Sequence, residues 1–214
     1  MIAVITGDII NSRALSDPQG WLGPLKALFE EWGPTPGTWE IYRGDSFQLG
    51  IPDPLTALSA AMRIKAVIRS VPPDEDDKRV ASIDVRMAIG IGEKDYDAPR
   101  ISECNGTAFV NSGEQFEKIK REKVNLAVRS PWPEFDQEIN LYLRLALIAM
   151  NSWSISSGEL MNILLKYPDR SQQEIADMLN IEQNSASGRY KRAHVEEMLL
   201  MDSAFRDKLS KRLS

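Results

Sequence analysis

Apolar and polar positions change their period several times along the chain. Residues 2–6 are a continuous apolar run, short enough for a buried strand. Over residues 17–32, Trp21, Leu22, Leu25, Leu28, Phe29 and Trp32 recur at helical spacing, and Pro34-Thr35-Pro36-Gly37 ends that helix. Residues 39–43 and 47–51 read as two strands, with Gly44-Asp45-Ser46 as a hairpin turn between them. A second amphipathic helix follows over 55–71, then an acidic loop at 72–77. Ile83, Val85, Met87, Ile89 and Ile91 alternate as in a strand with one buried face. Residues 106–123 predict a helix and 124–128 a last strand. The order predicts an α+β sandwich, with helices on one face of an antiparallel sheet.

Beyond Ser130-Pro131-Trp132-Pro133 the pattern is helical throughout. Two prolines so close cannot continue a strand or begin a long helix before the second, so this segment divides the chain into 1–130 and 138–214. Residues 139–150 are apolar on most faces and predict a buried helix; 155–165 predict another. Ser171-Gln172-Gln173-Glu174 is a capping box that opens a helix at Gln172. Asn180-Ile181-Glu182 reads as a turn, Asn180 taking the left-handed conformation, and a further helix starts near Gln183. With Ile175, Leu179 and Ile181 as its small core, this is the layout of a helix-turn-helix. The basic run 206–212 reads as a frayed, solvated helix end.

Composition narrows the class. The chain has 214 residues, 43% of them hydrophobic, too many for a disordered polymer. No apolar run is long enough to span a membrane, and the first residues have no basic segment of a signal peptide. With one cysteine (Cys104, read as a buried thiol) and one histidine (His194, read as a helix-surface residue), disulfides and Cys/His metal clusters are excluded. A bacterial-type cytoplasm is the expected location. The formal net charge of −5 argues mildly against nucleic acid as a partner. Divided at Gln137, however, the whole excess of acid lies in the first part, which holds 21 acids and 16 bases; the second holds 10 of each.

Two acids then stand out. Asp8 follows the first strand and Asp45 sits in the hairpin turn. If the first strand lies beside the hairpin, the two carboxylates converge on an oxygen site suited to Mg²⁺ or Mn²⁺. A turn-capping Asp8 and an ordinary turn acid at Asp45 account for the same spacing.

The segments around these acids resemble class III nucleotidyl cyclases. Ile5-Thr6-Gly7-Asp8-Ile9-Ile10-Asn11-Ser12 is similar to the first cyclase metal motif. Tyr42-Arg43-Gly44-Asp45-Ser46-Phe47 is similar to the second, and to the Gly-Gly-Asp-Glu-Phe turn of diguanylate cyclases. Residues 85–92 and Gly106-Thr107-Ala108-Phe109-Val110-Asn111 resemble two further cyclase segments, in the family's order. More narrowly, Thr6 to Arg13 and Gly44-Asp45-Ser46-Phe47-Gln48 resemble the SatD-like family of bacterial proteins. The resemblance implies a ferredoxin-like palm, with Asp8 and Asp45 as metal ligands and, with Asn111, as catalytic residues. It implies a nucleotide-phosphate pocket drawing on Ile9, Asn11, Ser12, Arg13 and Gly44, and a homodimer. Two positions depart from the cyclases. Gln115 stands where they carry a transition-state Arg, a loss of about 2.7–4 kcal/mol for a comparable donor, and Ile41 stands where many read the base.

Residues 171–198 resemble region four of sigma factors and LuxR-type regulators through Glu174-Ile175-Ala176, Leu179, Ile181, Arg189, Arg192 and Ala193. That resemblance implies double-stranded DNA as a partner, read by Gln183, Asn184, Ser185, Ser187, Arg189, Lys191 and Arg192. A packing or dimerisation helix pair with a solvated basic face fits the same residues. The expectation is a DNA-binding transcription regulator with a nucleotide- and metal-binding sensor. The alternative is an active Mg²⁺-dependent nucleotidyl cyclase or transferase.

Overall fold

A computed structural model describes residues 1–73 and 82–214. Among these residues the sheet has five strands in the order β2-β3-β1-β4-β5. Strand β1 (Ile2–Ile10) is central, antiparallel to β3 (Ser46–Ile51) on one side and to β4 (Asp84–Gly92) on the other. Strand β2 (Trp39–Tyr42) completes the hairpin with β3, as the turn chemistry predicted. Strand β5 (Leu126–Arg129) runs parallel to β4. The sheet is therefore mixed where a wholly antiparallel one was expected. Helix α3 (Thr107–Glu122) supplies the crossover between β4 and β5 that a parallel pair needs.

Helices cover both faces, not one. Helices α1 (Gln19–Glu30) and α2 (Ala57–Arg69) enclose the larger core with Ile5, Ile9, Phe47, Val85 and Met87. Phe29 of α1 stacks at 5.1 Å on Phe47 and 5.5 Å on Trp39. Helix α3 lies on the opposite face, over Ala88 and Ala127. It comes so close that a Cβ on Gly90 would stand 2.2 Å from the Ser112 amide nitrogen and 2.3 Å from the Ala108 carbonyl oxygen. Only glycine fits there.

The acidic loop begins with exposed Pro72 and Pro73; its acids, residues 74–77, lie outside the described residues. The chain then runs through α4 (Pro133–Met150), α5 (Ile155–Lys166), α6 (Gln172–Met178), α7 (Gln183–Ala193) and α8 (Val195–Leu213). Helix α4 starts earlier than its apolar run, because Pro133 occupies the first turn, where a missing N–H costs nothing. Helix α5 docks on α2 through Gly158, whose Cβ would lie 2.5 Å from the Ala66 carbonyl oxygen. The large core thus continues from the sheet into the tail through Trp153, Leu160 and Phe205. Two expectations change here. Residues 206–212 belong to α8, where Leu209 is fully buried, so this end is packed rather than frayed. Leu141, Leu145 and Ile148 of α4, expected inside, are 56%, 61% and 75% exposed.

One polar network crosses the core. Lys65 of α2, fully buried, donates to both oxygens of Asp84 (2.8 and 3.0 Å) and to Asn151 Oδ1 (2.8 Å) at the end of α4. Among the described residues, no helix is long and apolar enough to cross a membrane.

Candidate functional site

Asp8 lies inside β1 rather than after it. The strand continues because both neighbours keep pairing: Asp8 is opposite Ser46 of β3 and Arg86 of β4. Strand alternation settles the orientation. A Cβ on Gly7 would run into the Phe47 ring on the α1–α2 face, so the next side chain, Asp8, is on the α3 face. Asp45 sits beside it. The Ile9 amide donates to the Asp45 carbonyl oxygen (3.0 Å), and the Ser12 hydroxyl donates to Asp45 Oδ2 (2.8 Å). The turn that carries Asp45 has positive φ at Arg43 (56°) and Gly44 (90°), the geometry of a tight hairpin. Asn11 is also left-handed (φ 59°) and reverses the chain so that Ser12 reaches Asp45.

The Asp8 carboxylate is incompletely satisfied. Arg86 Nη1 is 3.5 Å from Oδ2, while Oδ1 is buried with no hydrogen-bond partner among the described residues; Arg86 Nε is likewise buried and unpartnered among them. Burial pushes the Asp8 carboxyl above its usual range. Arg86 and Lys120 pull it back, and Asp45 and Glu117 add to the rise. Two carboxylates with one orphaned oxygen suit a hard cation. Mg²⁺ characteristically takes one or two carboxylates and fills its shell with water and substrate phosphate. Among the described residues there is no cluster of three or more Asp, Glu, His or Cys. The donor set therefore fits a metal delivered with a phosphate ligand better than a closed protein cage. Asp8 and Asp45 would hold that metal.

The other residues expected here divide. Ser12 and Gly44 are at the carboxylates. Arg13 is exposed in the short turn after β1. Ile9 is only 3% exposed and belongs to the core on the opposite face; its contribution to this end is the backbone amide. Asn111 is not brought to Asp8. Its side-chain amide donates to the Ile91 carbonyl oxygen (2.9 Å), and Ile91 pairs with Ala3 at the far end of β1. Gln115 is 7% exposed and lines a cleft of about 730 Å³ between α3, β5 and α4, away from Asp8. Ile41 packs against the large core. Cys104 is buried, as expected, with its sulfur 3.3 Å from the Ala98 amide that donates to it. Sequence reasoning missed Arg86, Lys120 and Glu117 at this site, because only the β1–β4 register and the α3 crossing bring them to Asp8.

The second candidate region is the α6–turn–α7 unit. Its capping box is complete: the Glu174 amide and the Ser171 hydroxyl meet at 3.3 Å, and the Ser171 amide donates to Glu174 Oε2 (2.8 Å). These bonds and Arg170 hold the Glu174 carboxyl down to about 2. Asn180 is left-handed (φ 52°), and the Ile181 amide donates to the Ala176 carbonyl oxygen (3.0 Å). Helix α7 buries Ala186 and Ala193. Gln183, Asn184, Ser185, Lys191 and Arg192 are exposed, and Ser187 is half-buried. Arg189 differs from the other basic residues: it pairs with Glu159 of α5 at 2.9 Å and is 19% exposed. His194 is exposed, and its left-handed conformation (φ 54°) joins α7 to α8.

No protein-family model matches the chain, and comparison with characterised proteins found no significant match.

Proposed function

We propose that this chain is a bacterial, cytoplasmic DNA-binding transcription regulator. Residues 1–130 would form a ferredoxin-like, nucleotidyl-cyclase-type palm that senses a nucleotide with Mg²⁺ or Mn²⁺ at Asp8 and Asp45. Residues 138–214 would carry the DNA reader. The observation that carries this reading is the outward face of α7, where Asn184, Ser185, Lys191 and Arg192 stand exposed on a helix anchored by Ala186 and Ala193. Amide and cationic side chains on an exposed second helix are the groups that meet base edges and phosphates in a major groove.

A continuous set of contacts supports communication between the two regions. Arg69 of α2 donates to the Ser82 hydroxyl just before β4 (2.8 Å) and to the Trp153 carbonyl oxygen (2.6 and 3.0 Å). The Trp153 indole N–H donates to the Ala193 carbonyl oxygen at the end of α7 (3.0 Å). A shift at the sheet end can thus reach the reading helix through α2.

The test uses the full chain and a pool of duplex DNA at low salt. Binding should weaken as salt rises, and Lys191→Ala with Arg192→Ala should lower the log–log salt slope by about 2, one per lost phosphate contact. Arg189→Ala should change it less, because that guanidinium is already paired with Glu159. No binding at low salt would overturn the reading. The orphaned Asp8 Oδ1 favours a second reading, an Mg²⁺-dependent nucleotidyl transferase. It requires pyrophosphate release from a nucleoside triphosphate, lost in Asp8→Ala and Asp45→Ala.

A further inference from the structure

The exposed side of α4 is apolar with a regular spacing. Leu141, Leu145 and Ile148 are separated by four and three residues, the interval of a helix seam that packs against another helix. Helix α8 runs alongside and adds Leu200, 72% exposed. Between the two helices lies a groove of about 770 Å³, bordered by Leu145, Ile148, Leu200, Met201, Ala204 and His194. The opposite side of α4 already fills the core with Phe135, Ile139 and Leu143. The helix therefore has two apolar faces, and one of them lacks a partner among the described residues.

We infer that this face is covered by α4 and α8 of a second copy, forming a four-helix bundle between two chains. Area and charge both favour this occupant. Leu141, Leu145, Ile148 and Leu200 together offer on the order of 300–400 Å² of apolar surface per copy. That is about the apolar half of the roughly 800 Å² each partner buries in a standard interface. The charges also select the orientation. The start of α4 is acidic and the end of α8 basic, and they pair within the chain as Lys208 with Glu138 (2.9 Å) and Arg212 with Glu134 (3.6 Å). If the two-fold axis runs along the bundle, α4 of each copy lies antiparallel to α8 of the other, and these ends meet again across the interface. A two-fold across the bundle would instead set α4 against α4 and α8 against α8, pairing the basic end of α8 with Glu196 and Glu197 but leaving the acidic start of α4 opposite an α4 end that has no basic residue. The favoured axis also sets the two α7 helices at the same end of the bundle, since α8 begins where α7 stops.

This inference does not depend on DNA binding, and its test contains no nucleic acid. Sedimentation equilibrium of the full chain should give twice the 24.1 kDa chain mass. Leu145→Glu with Ile148→Glu should raise the dimer dissociation constant at least ~100-fold. Far-UV circular dichroism should hold, because both side chains are solvent-exposed, and Tm should fall no further than that of the wild-type chain diluted below its dimer dissociation constant. Leu200→Glu provides the same test from α8. Lys211→Glu should weaken the dimer about tenfold, and Glu134→Lys in that background should restore it. A wild-type chain that stays at 24.1 kDa at high concentration overturns the proposal, as does a dimer that survives the substitutions in both helices. A monomer that binds lipid vesicles through these residues would overturn it too, assigning the face to a membrane surface.

Discussion

Strand β4 contributes to two carboxylate–cation pairs only two residues apart, and they are built in opposite ways. In the Lys65–Asp84 pair every hydrogen-bonding position is used. The ammonium donates to Asp84 Oδ1, Asp84 Oδ2 and Asn151; Asp84 Oδ1 also accepts from the Val85 amide (2.8 Å) and Oδ2 from Asn125 Nδ2 (3.2 Å). In the Asp8–Arg86 pair the charges stand 3.5 Å apart, and one buried atom on each side has no partner among the described residues. A saturated buried network fixes structure, whereas an unsaturated one carries a desolvation cost that a ligand can remove. The difference separates a pair that ties the sheet to the helical tail from a pair that has hydrogen-bonding capacity left over.

The largest expected effect tests the saturated pair. Lys65→Ala leaves Asp84 ionised and buried without its cation, which should cost about 3–5 kcal/mol and lower Tm by roughly 10 °C in a chain of this size. A loss under 1 kcal/mol in chemical denaturation would mean that water reaches Asp84, and the two pairs would not differ as described. The unsaturated pair should behave in reverse. Asp8→Ala should change the stability of the ligand-free chain by less than ~1 kcal/mol, since burial already works against the ionised Asp8. It should, however, abolish stabilisation by a Mg²⁺–nucleotide, about 2.7 kcal/mol at a hundredfold excess over Kd in the wild type. A thermal-shift screen over the common nucleotides with Mg²⁺ or Mn²⁺ measures both. If Asp8→Ala keeps the ligand shift, the site lies elsewhere.

This contrast also marks how far the sequence could be read. The hairpin with Asp45 and the capping box at Ser171 were legible because both are local: a turn of fixed length and a four-residue spacing determine them. The placement of Asp8 after the strand failed because the apolar run ended at Thr6, while pairing with β3 and β4 carries the strand on to Ile10. Lys65 gave no signal at all. It is a lysine on an amphipathic helix, and only Asp84 and Asn151, 19 and 86 residues away, make it a core residue. Arg189 was grouped with Lys191 and Arg192 by proximity in sequence, yet it sits on the side of α7 that meets Glu159. Leu141, Leu145 and Ile148 show the same limit from the apolar side. Hydrophobicity says that a face needs a partner and leaves open whether the partner is in the same chain.

Smaller effects sharpen the comparison within each pair. Asn151→Ala removes one of three acceptors from the Lys65 ammonium and should cost about 1–2 kcal/mol, well below the loss of the lysine itself. Equal losses in the two variants would mean that Asn151, rather than the ion pair, holds α4 to α2.

The finest test concerns protons at Asp8. Its carboxyl is raised from the ordinary value of 3.8, chiefly by burial. An acid raised on folding stays protonated to higher pH in the native state than in the unfolded chain. Its contribution to stability therefore declines as pH rises from 3.8 through the native value. Mg²⁺ needs the ionised form, so metal binding must release whatever proton Asp8 still holds. In calorimetry with the same nucleotide and buffers of different ionisation enthalpy, more protons per metal should be released near pH 5 than at pH 7, and affinity should fall on acidification. In Asp8→Asn the proton release assigned to this carboxyl should vanish, because the amide does not titrate in this range. A release as large in that variant would come from the nucleotide phosphate, whose second proton leaves at about pH 6, and the unsatisfied oxygen of Asp8 would then reflect its packing rather than readiness for a cation.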